Sequence, residues 1–416
     1  MTGTPLQDSD TGLEQLFERR IYIETYGCRY NFGDTAKLVE ILKQTGSMIV
    51  SSEDEAEAVV INTCTVVGPT ERRMLRRLAQ FRNRDLFVTG CMPTVQAELI
   101  RGVCNPVFID PKSIQQSYRH VNTVAGGDTG IVQVAQGCLG GCTYCITRFA
   151  RGRLKSFPSE EIYNQVRAFA RAGSAEIQLT AQDVSAWGRD AGATLPDLLR
   201  QINDVSPPSM LRVGMMNPAT VIDILDDLID AIKGDRIFRF IHLPVQSGSD
   251  AVLARMERHY SVADYEEIVR TFRRRMPDLS LMTDIIVGSP YETADEFNES
   301  LALIERIRPN KVNVTRYSQR PLTPLAREKD FHPSIKKDRS RLIQAHAERI
   351  YAAINSPLIG TTVPFVVTEI IRPGSVMARS PSYLGVVINE DLPVGFEGHA
   401  RLEKDRTYFF IGKRTV

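Results

Sequence analysis

The chain has 416 residues, of which 43% are hydrophobic and 24% are charged, a composition typical of a folded protein with two or three domains. It excludes collagen-like, disordered and disulfide-scaffold proteins. The 51 Lys and Arg nearly balance the 50 Asp and Glu, so the net charge of +1 identifies no partner. No apolar run is long enough to span a membrane, and the first residues lack the basic and apolar regions of a secretory signal. We therefore expect a cytoplasmic protein that has no contact with membranes.

Seven cysteines and two local concentrations of positive charge stand out in the composition. Because thiols stay reduced in the cytosol, the cysteines favour metal binding or catalysis over disulfides. Residues 71–84 carry six Arg and one Glu, and residues 148–155 carry four basic residues and no acid. Both stretches are candidates for phosphate contact, and a solvated helix face is an equally good interpretation of the first.

Residues 20–110 alternate between predicted strands and helices, as in a parallel α/β domain. The predicted strands are 21–27, 58–64 and 86–91, and the predicted helices are 34–46, starting at Asp34, and 69–81. Cys28, Cys64 and Cys91 each stand at or just past the end of one strand. Parallel α/β sheets bind ligands at the carboxyl ends of their strands, so the three thiols can meet at one edge. Buried apolar thiols are the alternative, which this shared position disfavours.

From about residue 130 the alternation restarts and continues for six βα units. The predicted strands are 131–136, 175–183, 211–216, 239–246, 280–288 and 311–318, and the helices after them include 159–173, 218–234 and 293–309. Six consecutive βα units predict a partial (β/α)6 barrel with its active site at the carboxyl ends of the strands. Residues 334–355 predict a helical bridge to five short strands, which are typical of a small closed β-barrel.

Cys138, Cys142 and Cys145 lie in GCLGGCTYC, immediately after the first predicted barrel strand. Three thiols on one glycine-rich loop suit an iron–sulfur cluster with one iron left open. Structural zinc would need a fourth Cys or His, and no His stands beside the motif, so zinc is disfavoured. The glycines would let the loop wrap around a cluster and donate N–H groups to its sulfides.

This loop at the mouth of a βα barrel resembles that of the radical S-adenosylmethionine (SAM) enzymes. A wider set of segments narrows the resemblance to the methylthiotransferase family. These segments are ETYGCRYN (24–31), NTCTV (62–66), GCMP (90–93), CTYCITRFARG (142–152), HLPVQSGS (242–249), TDIIVG (283–288) and RPLTPLA (320–326). The domains implied by this resemblance are a flexible N-terminus (1–19), a methylthiotransferase N-terminal domain (20–125), a radical SAM domain (126–355) and an RNA-holding TRAM domain (356–416).

The resemblance implies SAM and two 4Fe–4S clusters as cofactors. The ligands of the radical cluster, whose open iron binds SAM, match Cys138, Cys142 and Cys145. The ligands of the auxiliary cluster match Cys28, Cys64 and Cys91. Cys104 matches no ligand, so we expect it to be a buried thiol.

Polar residues after the barrel strands are candidate cofactor contacts, because they should face the mouth of the barrel. These candidates are Gln182, Asp183, Asn217, Gln246, Ser247 and Gly288, together with Tyr144 in the cysteine loop. Capping of the following helices is the alternative for the polar residues after the strands. The candidate substrate contacts, for which surface salt bridges are the alternative, are Arg148, Arg151 and Arg153. His242 is equally open to a structural and a functional role.

The family resemblance implies a tRNA-modifying transferase that works with an electron donor such as a flavodoxin or ferredoxin. One SAM molecule would donate a methyl group and a second would supply the radical. Residues 146–162 are most similar to the branch that acts on N6-threonylcarbamoyladenosine at position 37, in the anticodon stem-loop. An Arg-rich entrance suits the carboxylate of that nucleoside. The alternatives are isopentenyladenosine in tRNA, an aspartate of a ribosomal protein, and a noncatalytic iron–sulfur RNA-binding module.

Two segments depart from the family pattern. SPYET (289–293) stands where FPGET is usual, and RPLTP (320–324) stands where RPGTP is usual. Tyr291 replaces a glycine next to a strand end expected near the adenosyl group, so the conformation of that loop is open. The cluster ligands are unaffected by either departure.

Overall fold

The computed structural model describes residues 12–118, 127–204 and 209–415. Residues 1–11 and the expected domain boundary at 125 lie outside these ranges. The described chain forms two compact units. The first holds the residues up to 118 together with Cys145–Gly152 and Arg320–Leu322, and the second holds the rest. The sequence did not indicate that these two short segments group with the first unit.

The first unit is built on a five-stranded sheet whose strands are all parallel. In sheet order the strands are Met48–Ile49, Arg20–Thr25, Ala58–Thr63, Leu86–Gly90 and Val107–Phe108. The helices of this unit are Arg29–Gln44, Gly68–Gln80, Met92–Arg101, Pro111–Tyr118 and Thr147–Arg151. This strand order, 2-1-3-4-5 along the chain, is that of a doubly wound sheet with its ligand site at the carboxyl ends, where the order reverses.

Both faces of this sheet are covered, which explains why its central strands are continuous apolar runs. Residues 58–63 and 86–90 are buried throughout. Val60 packs with Leu38 and Leu42 on one face, while its neighbour Val59 packs with Leu78 on the other. Side chains alternate between the faces of a strand, so helices must cover both.

Two sequence predictions for the first unit need correction. Residues 12–19 were expected to be flexible, but Leu13 and Leu16 are buried in the core. The first helix starts at Arg29 rather than Asp34, because Asp34 is buried inside the helix and pairs with Arg151 of the same unit. An Asp with no visible partner in the sequence looks like a helix cap.

The second unit contains six parallel strands, in agreement with the predicted partial (β/α)6 barrel. They are Thr129–Gln133, Glu176–Thr180, Met210–Val213, Phe240–His242, Ser280–Val287 and Lys311–Arg316. Bridges from Leu211 to Ile237 and from Met215 to His242 join the two three-stranded halves. The α-helices are Ser159–Arg171, Leu195–Ile202, Pro218–Val221, Leu225–Ile232, Asp250–Arg255, Val262–Arg275, Ala294–Ile307 and Pro333–Asn355.

Two predicted elements of this unit are divided in the structure. The strand predicted at 131–136 ends at Gln133, and Ala135–Gln136 pairs antiparallel with Lys155–Ser156 instead. The helix predicted at 218–234 is interrupted at residues 222–224, where a 3-10 turn separates two α-helices. Arg189 donates a hydrogen bond to the Thr220 carbonyl at 2.8 Å and so occupies a helix acceptor just before the interruption.

The five C-terminal strands close into the predicted small barrel. In barrel order they are Thr362–Arg372, Ser375–Arg379, Gly385–Ile388, Phe410–Thr415 and Glu397–Asp405. Tyr383, in a turn of this barrel, packs on Phe238 and Phe240 with ring centroids 4.9 and 4.8 Å away. Its hydroxyl donates to Glu176 at 2.7 Å. The small barrel therefore packs against the amino ends of the larger barrel's strands and leaves their carboxyl ends to other residues.

Among the described residues, no helix combines the length and the hydropathy that a membrane crossing requires.

Candidate functional site

Cys28, Cys64 and Cys91 follow three strands that are neighbours in the first unit's sheet. Cys28 is exposed and occupies the N-cap position of the helix that starts at Arg29, while Cys64 and Cys91 are each 6% exposed. The three thiols therefore lie at the carboxyl edge of the sheet, as their positions in the sequence predict. Only the Cys28 side of the set is open to solvent.

Two of these thiols, Cys64 and Cys91, have raised pKa values. Burial raises the pKa of the Cys64 thiol to about 12, and the neighbouring Cys91 and Cys28 add to the rise. Burial also raises the pKa of Cys91. Metal ligands must be thiolates, and buried thiolates need a compensating cation, so this donor set suits a bound metal centre.

Gly27 allows the close approach of two of these strand ends. Its φ is +114°, and a Cβ there would lie 2.7 Å from the Cys64 Cβ and 3.1 Å from the Cys64 Sγ. Any larger residue would collide with the Cys64 side chain.

Arg151 is buried beside Cys91, within the first unit. Its Nε donates to the Cys91 Sγ at 3.2 Å, and its Nη2 donates to the Asn31 Oδ1 at 2.8 Å. The same nitrogen lies 2.7 Å from the Asp34 Oδ2, and the guanidinium stacks 4.8 Å from the centre of the Tyr30 ring. The expectation that Arg151 lines an exposed entrance is corrected by this burial, because its guanidinium is engaged inside the protein.

The loop after Cys64 is held by a second buried arginine that the sequence did not reveal. Arg320 donates to the Glu71 carboxylate at 2.6 Å and to the Thr65 carbonyl at 3.2 Å. Gln96 donates to the same carboxylate at 2.7 Å. No sequence signal links these residues, because the Arg and Glu are far apart in the chain.

The basic stretch 71–84 divides into paired and exposed arginines. Arg77 is ion-paired with Glu24 at 2.6 Å and stacks on the Phe81 ring at 4.3 Å. The exposed members of the stretch are Arg72, Arg73, Arg76, Arg82 and Arg84. Arg77 therefore has its partners within the protein, and phosphate contact stays a prediction for the exposed arginines.

The second cysteine set lies between the strand Ala135–Gln136 and the helix Thr147–Arg151. Cys138 and Cys142 belong to the second unit, whereas Cys145 begins the segment that groups with the first. All three thiols are half-buried. A Cβ at Gly140 would lie 3.5 Å from the Cys138 Sγ and 3.6 Å from the Cys142 Sγ, so both sulfurs border this glycine. Its N–H donates to the Cys138 Sγ at 3.3 Å.

Among the residues that the structure describes, no three His, Cys, Asp or Glu side chains form a ready-made group of metal ligands. The fit of each cysteine set therefore rests on its thiol chemistry, its burial and the glycines beside it.

Arg258 is a site residue that the sequence analysis missed. Its Nη1 donates to the Cys142 Sγ at 3.4 Å, and its Nη2 donates to the Asn217 Oδ1 at 3.0 Å. The guanidinium lies 5.0 Å from the centre of the Tyr260 ring, and the Tyr260 hydroxyl donates to the Val245 carbonyl at 2.8 Å. A single arginine in a loop between two helices carries no sequence signal of this role.

Three of the predicted cofactor contacts support the loops at the barrel mouth. The Gln182 Oε1 accepts a 2.6 Å hydrogen bond from the Gly137 N–H, at the start of the cysteine loop. Asp183 is buried and accepts hydrogen bonds from Ser185 and Thr220, and burial raises the pKa of its carboxyl. Asn217 caps the helix that begins at Pro218 as well as accepting from Arg258.

The remaining predicted contacts have other local roles. The Ser247 hydroxyl is buried, lies 3.3 Å from the Ser300 hydroxyl and accepts from the Ser249 N–H. The Gln246 N–H donates to the Asp284 carbonyl at 2.9 Å. The Gly288 N–H donates to the Glu292 carboxylate at 2.7 Å.

Tyr144, between two cysteines of the loop, packs against a buried apolar cluster. The cluster contains Val252, Met256, Ile286, Tyr317 and Leu325. These contacts hold the middle of the cysteine loop against the core of the second unit.

The two other arginines beside the loop, Arg148 and Arg153, are exposed. Arg148 lies 5.6 Å from the centre of the Phe149 ring. Cys104 is buried among apolar residues of the first unit, as expected of a structural thiol.

His242 belongs to a polar group on the barrel strands. Its Nε2 lies 2.8 Å from the Asp284 Oδ1, which also accepts a 2.8 Å hydrogen bond from the Asn313 amide. These three residues come from three neighbouring strands, which gives His242 a defined partner in the barrel.

In both segments that depart from the family pattern, the residue that replaces glycine has a positive φ. Tyr291 has a φ of 64° and Leu322 a φ of 69°, in the left-handed region that favours glycine. Their side chains are 59% and 61% exposed. Both positions therefore hold a larger residue in a backbone conformation that favours glycine, at a cost in backbone strain.

Comparison with known families covers most of the chain. The Radical SAM superfamily matches residues 132–304, and the Uncharacterized protein family UPF0004 matches residues 20–107. A 4Fe–4S cluster and SAM as cofactors follow from the first of these matches.

Two solved structures show the same fold at low sequence identity. The radical SAM methyltransferase TsrM from Kitasatospora setae has a TM-score of 0.51 at 13% identity, covering 74% of this chain and 77% of that one. The cobalamin-dependent radical SAM enzyme OxsB has a TM-score of 0.52 at 11% identity, covering 81% and 58%.

Three curated relatives have the same activity in their names. A probable threonylcarbamoyladenosine tRNA methylthiotransferase of Pyrococcus abyssi is 40% identical over 92% of this chain and 96% of its own length. A probable enzyme of the same name from Archaeoglobus fulgidus is 37% identical over 95% and 98%. The Danio rerio threonylcarbamoyladenosine tRNA methylthiotransferase is 32% identical over 80% and 67%. The chain therefore belongs to the radical SAM family of threonylcarbamoyladenosine tRNA methylthiotransferases.

Proposed function

We propose that this protein adds a methylthio group to C2 of N6-threonylcarbamoyladenosine at position 37 of tRNA. The observation that carries the proposal is the 40% identity, over 92% of the chain, to a relative named for this activity. The relatives compared above do not favour isopentenyladenosine or a ribosomal aspartate as substrate. A noncatalytic RNA-binding module is disfavoured by the complete radical SAM cysteine motif.

Cys138, Cys142 and Cys145 are the proposed ligands of the radical cluster. A 4Fe–4S cluster held there would supply the electron for reductive cleavage of SAM, and so the radical chemistry that the inert C2–H bond of the adenine ring requires. Arg258 donates a cationic hydrogen bond to the Cys142 Sγ and so places a positive charge beside a proposed cluster ligand. Gln182 and Tyr144 fix the loop that carries these cysteines.

Cys28, Cys64 and Cys91 are the proposed ligands of an auxiliary 4Fe–4S cluster. A cluster held there would supply an exchangeable iron site, at which a sulfur atom could be held for methylation by a first SAM molecule. The exposed Cys28 leaves one side open for exchange, while the buried Cys64 and Cys91 keep the opposite side dry.

The C-terminal barrel offers a surface for tRNA. Arg401 and Lys413 are exposed and lie directly opposite each other on adjacent strands. Like charges placed opposite each other destabilise a sheet, so their presence favours an anionic partner such as the phosphates of tRNA. A flavodoxin or ferredoxin is the proposed electron donor.

The test is nucleoside mass spectrometry of tRNA from a strain that lacks this gene. We expect 2-methylthio-N6-threonylcarbamoyladenosine to disappear and its unthiolated precursor to accumulate. Restoration by the intact gene is the control. Persistence of the product in a strain with no second enzyme of this kind would refute the assignment.

A further inference from the structure

Arg151 ends the short helix that follows the third cysteine of the radical motif, yet its side chain contacts the other cysteine set. The side chain is 1% exposed. Its Nε donates to the Cys91 Sγ at 3.2 Å, so a buried cation directly contacts a proposed ligand of the auxiliary cluster.

Three neighbours fix the direction of this cation. The Asp34 carboxylate, 7% exposed, lies 2.7 Å from Nη2, and the Asn31 Oδ1 accepts from the same nitrogen at 2.8 Å. The guanidinium carbon lies 4.8 Å from the centre of the Tyr30 ring, within cation–π distance. These contacts hold the planar guanidinium with its Nε edge towards Cys91, a geometry that a lysine ammonium cannot reproduce.

Stability alone does not account for this arrangement. Burying an ion pair usually costs about as much in desolvation as the attraction returns, so apolar residues would serve the core equally well. The distinctive feature is that the cation also donates to a sulfur. A positive charge next to a cysteine ligand favours the more negative form of any centre bound to it, because the surroundings screen charge poorly.

We propose that Arg151 is a positioning residue that raises the reduction potential of the auxiliary cluster and strengthens its retention. The proposal rests on the proposed function, since it requires a cluster on Cys28, Cys64 and Cys91. Asp34 opposes the effect by partly neutralising the same guanidinium. Arg151 and Asp34 therefore set the potential with opposite signs.

The experiment uses the full-length protein with Cys138, Cys142 and Cys145 changed to Ala, so that only the auxiliary cluster remains. The reduction potential of this cluster is measured by a redox titration that is monitored by electron paramagnetic resonance. Bound iron is quantified before and after exposure to a chelator. We expect Arg151→Gln to shift the potential to a more negative value and to speed iron loss. Asp34→Asn should shift the potential to a more positive value, and Arg151→Lys should fall between Arg151→Gln and the parent.

Arg101→Gln is the matched control, because it removes an exposed arginine of the same unit whose ion-pair partner in the described structure is Glu98, and it should leave the potential unchanged. Unchanged potentials in the Arg151 and Asp34 variants, or shifts in the same direction for Arg151→Gln and Asp34→Asn, would overturn the proposal. If Arg151→Gln does not fold, Asp34→Asn and Arg151→Lys still decide it. A parent variant that binds no cluster would instead refute the auxiliary site itself.

Discussion

The two cysteine sets of this chain are assembled in opposite ways. Cys28, Cys64 and Cys91 come from the ends of three strands that are widely separated in sequence, and two of their thiols are buried. Cys138, Cys142 and Cys145 share one glycine-rich loop and are all half-buried. The first set exists only because a parallel sheet brings strand ends together, whereas local spacing is enough to define the second.

One feature is common to both sets: an arginine, buried in one set and half-buried in the other, donates to one sulfur. Arg151 donates to Cys91, and Arg258 donates to Cys142. The partners differ, because Arg151 is balanced by the Asp34 carboxylate and Arg258 is held by the neutral Asn217 amide. The charge of Arg151 is therefore balanced by a carboxylate. Arg258 has no carboxylate among these partners, so they do not balance its positive charge beside the cysteine loop.

The largest expected effect separates the two cysteine sets. Changing Cys138, Cys142 and Cys145 to Ala should abolish 5′-deoxyadenosine formation and halve the iron from about eight atoms per chain. Changing Cys28, Cys64 and Cys91 should also halve the iron but spare SAM cleavage while stopping sulfur insertion. Chromatography with mass spectrometry of the products measures both. Cys104→Ala is the control, since this buried thiol lies outside both sets; identical behaviour of the two triple variants would contradict the division of roles.

The second largest effect is expected for Arg258, the arginine that donates to Cys142. Arg258→Met removes hydrogen bonds to Cys142 and Asn217, and a charge-assisted hydrogen bond is worth about 1.5–3 kcal/mol. We expect about a tenfold or greater loss in the rate of 5′-deoxyadenosine formation. Iron bound in a variant lacking Cys28, Cys64 and Cys91 should fall as well. Arg270→Met, at an exposed arginine paired with Glu267, should change neither quantity; equal losses in both variants would rule out a specific role for Arg258.

A third effect concerns the RNA surface rather than the cysteines. Arg401→Ala combined with Lys413→Ala removes two adjacent exposed cations. We expect weaker tRNA binding, with the slope of log K against log salt concentration reduced by about two, because each phosphate contact contributes about one. SAM cleavage in the absence of tRNA should be unchanged. Arg414→Ala, at an arginine already paired with Glu390, should have a smaller effect on binding, and an unchanged salt slope in the double variant would refute this surface.

The smallest effect concerns the two loops that depart from the family pattern, one in each unit. Tyr291→Gly and Leu322→Gly should each raise the free energy of unfolding by about 1 kcal/mol, because glycine adopts a left-handed backbone without strain. Denaturant unfolding measures the change. Val66→Gly is the control: this exposed residue is outside the positive-φ group, so glycine there should destabilise by roughly 0.5–1 kcal/mol. Destabilisation by all three changes would show that strain at Tyr291 and Leu322 is negligible.

Much of the fold was predictable because it depends on local patterns. The alternation of apolar strands and amphipathic helices predicted the parallel sheet and the six barrel strands, and the five short C-terminal strands predicted a closed barrel. The errors occurred where a distant side chain changes a local preference. Asp34 looked like a helix cap but pairs with Arg151, and the helix predicted at 218–234 is interrupted after a carbonyl that Arg189 engages.

The sequence by itself determined the composition of both cysteine sets, because cysteine spacing and strand positions are encoded locally. The tertiary structure alone decided which cations contact those cysteines. In the sequence, Arg151 looked like a surface residue beside the radical loop, and no pattern indicated a role for Arg258. Both nevertheless donate hydrogen bonds to cysteine sulfurs. The physical reason is that a buried charge finds its partner through packing of elements far apart in the chain, and a linear pattern does not contain that information.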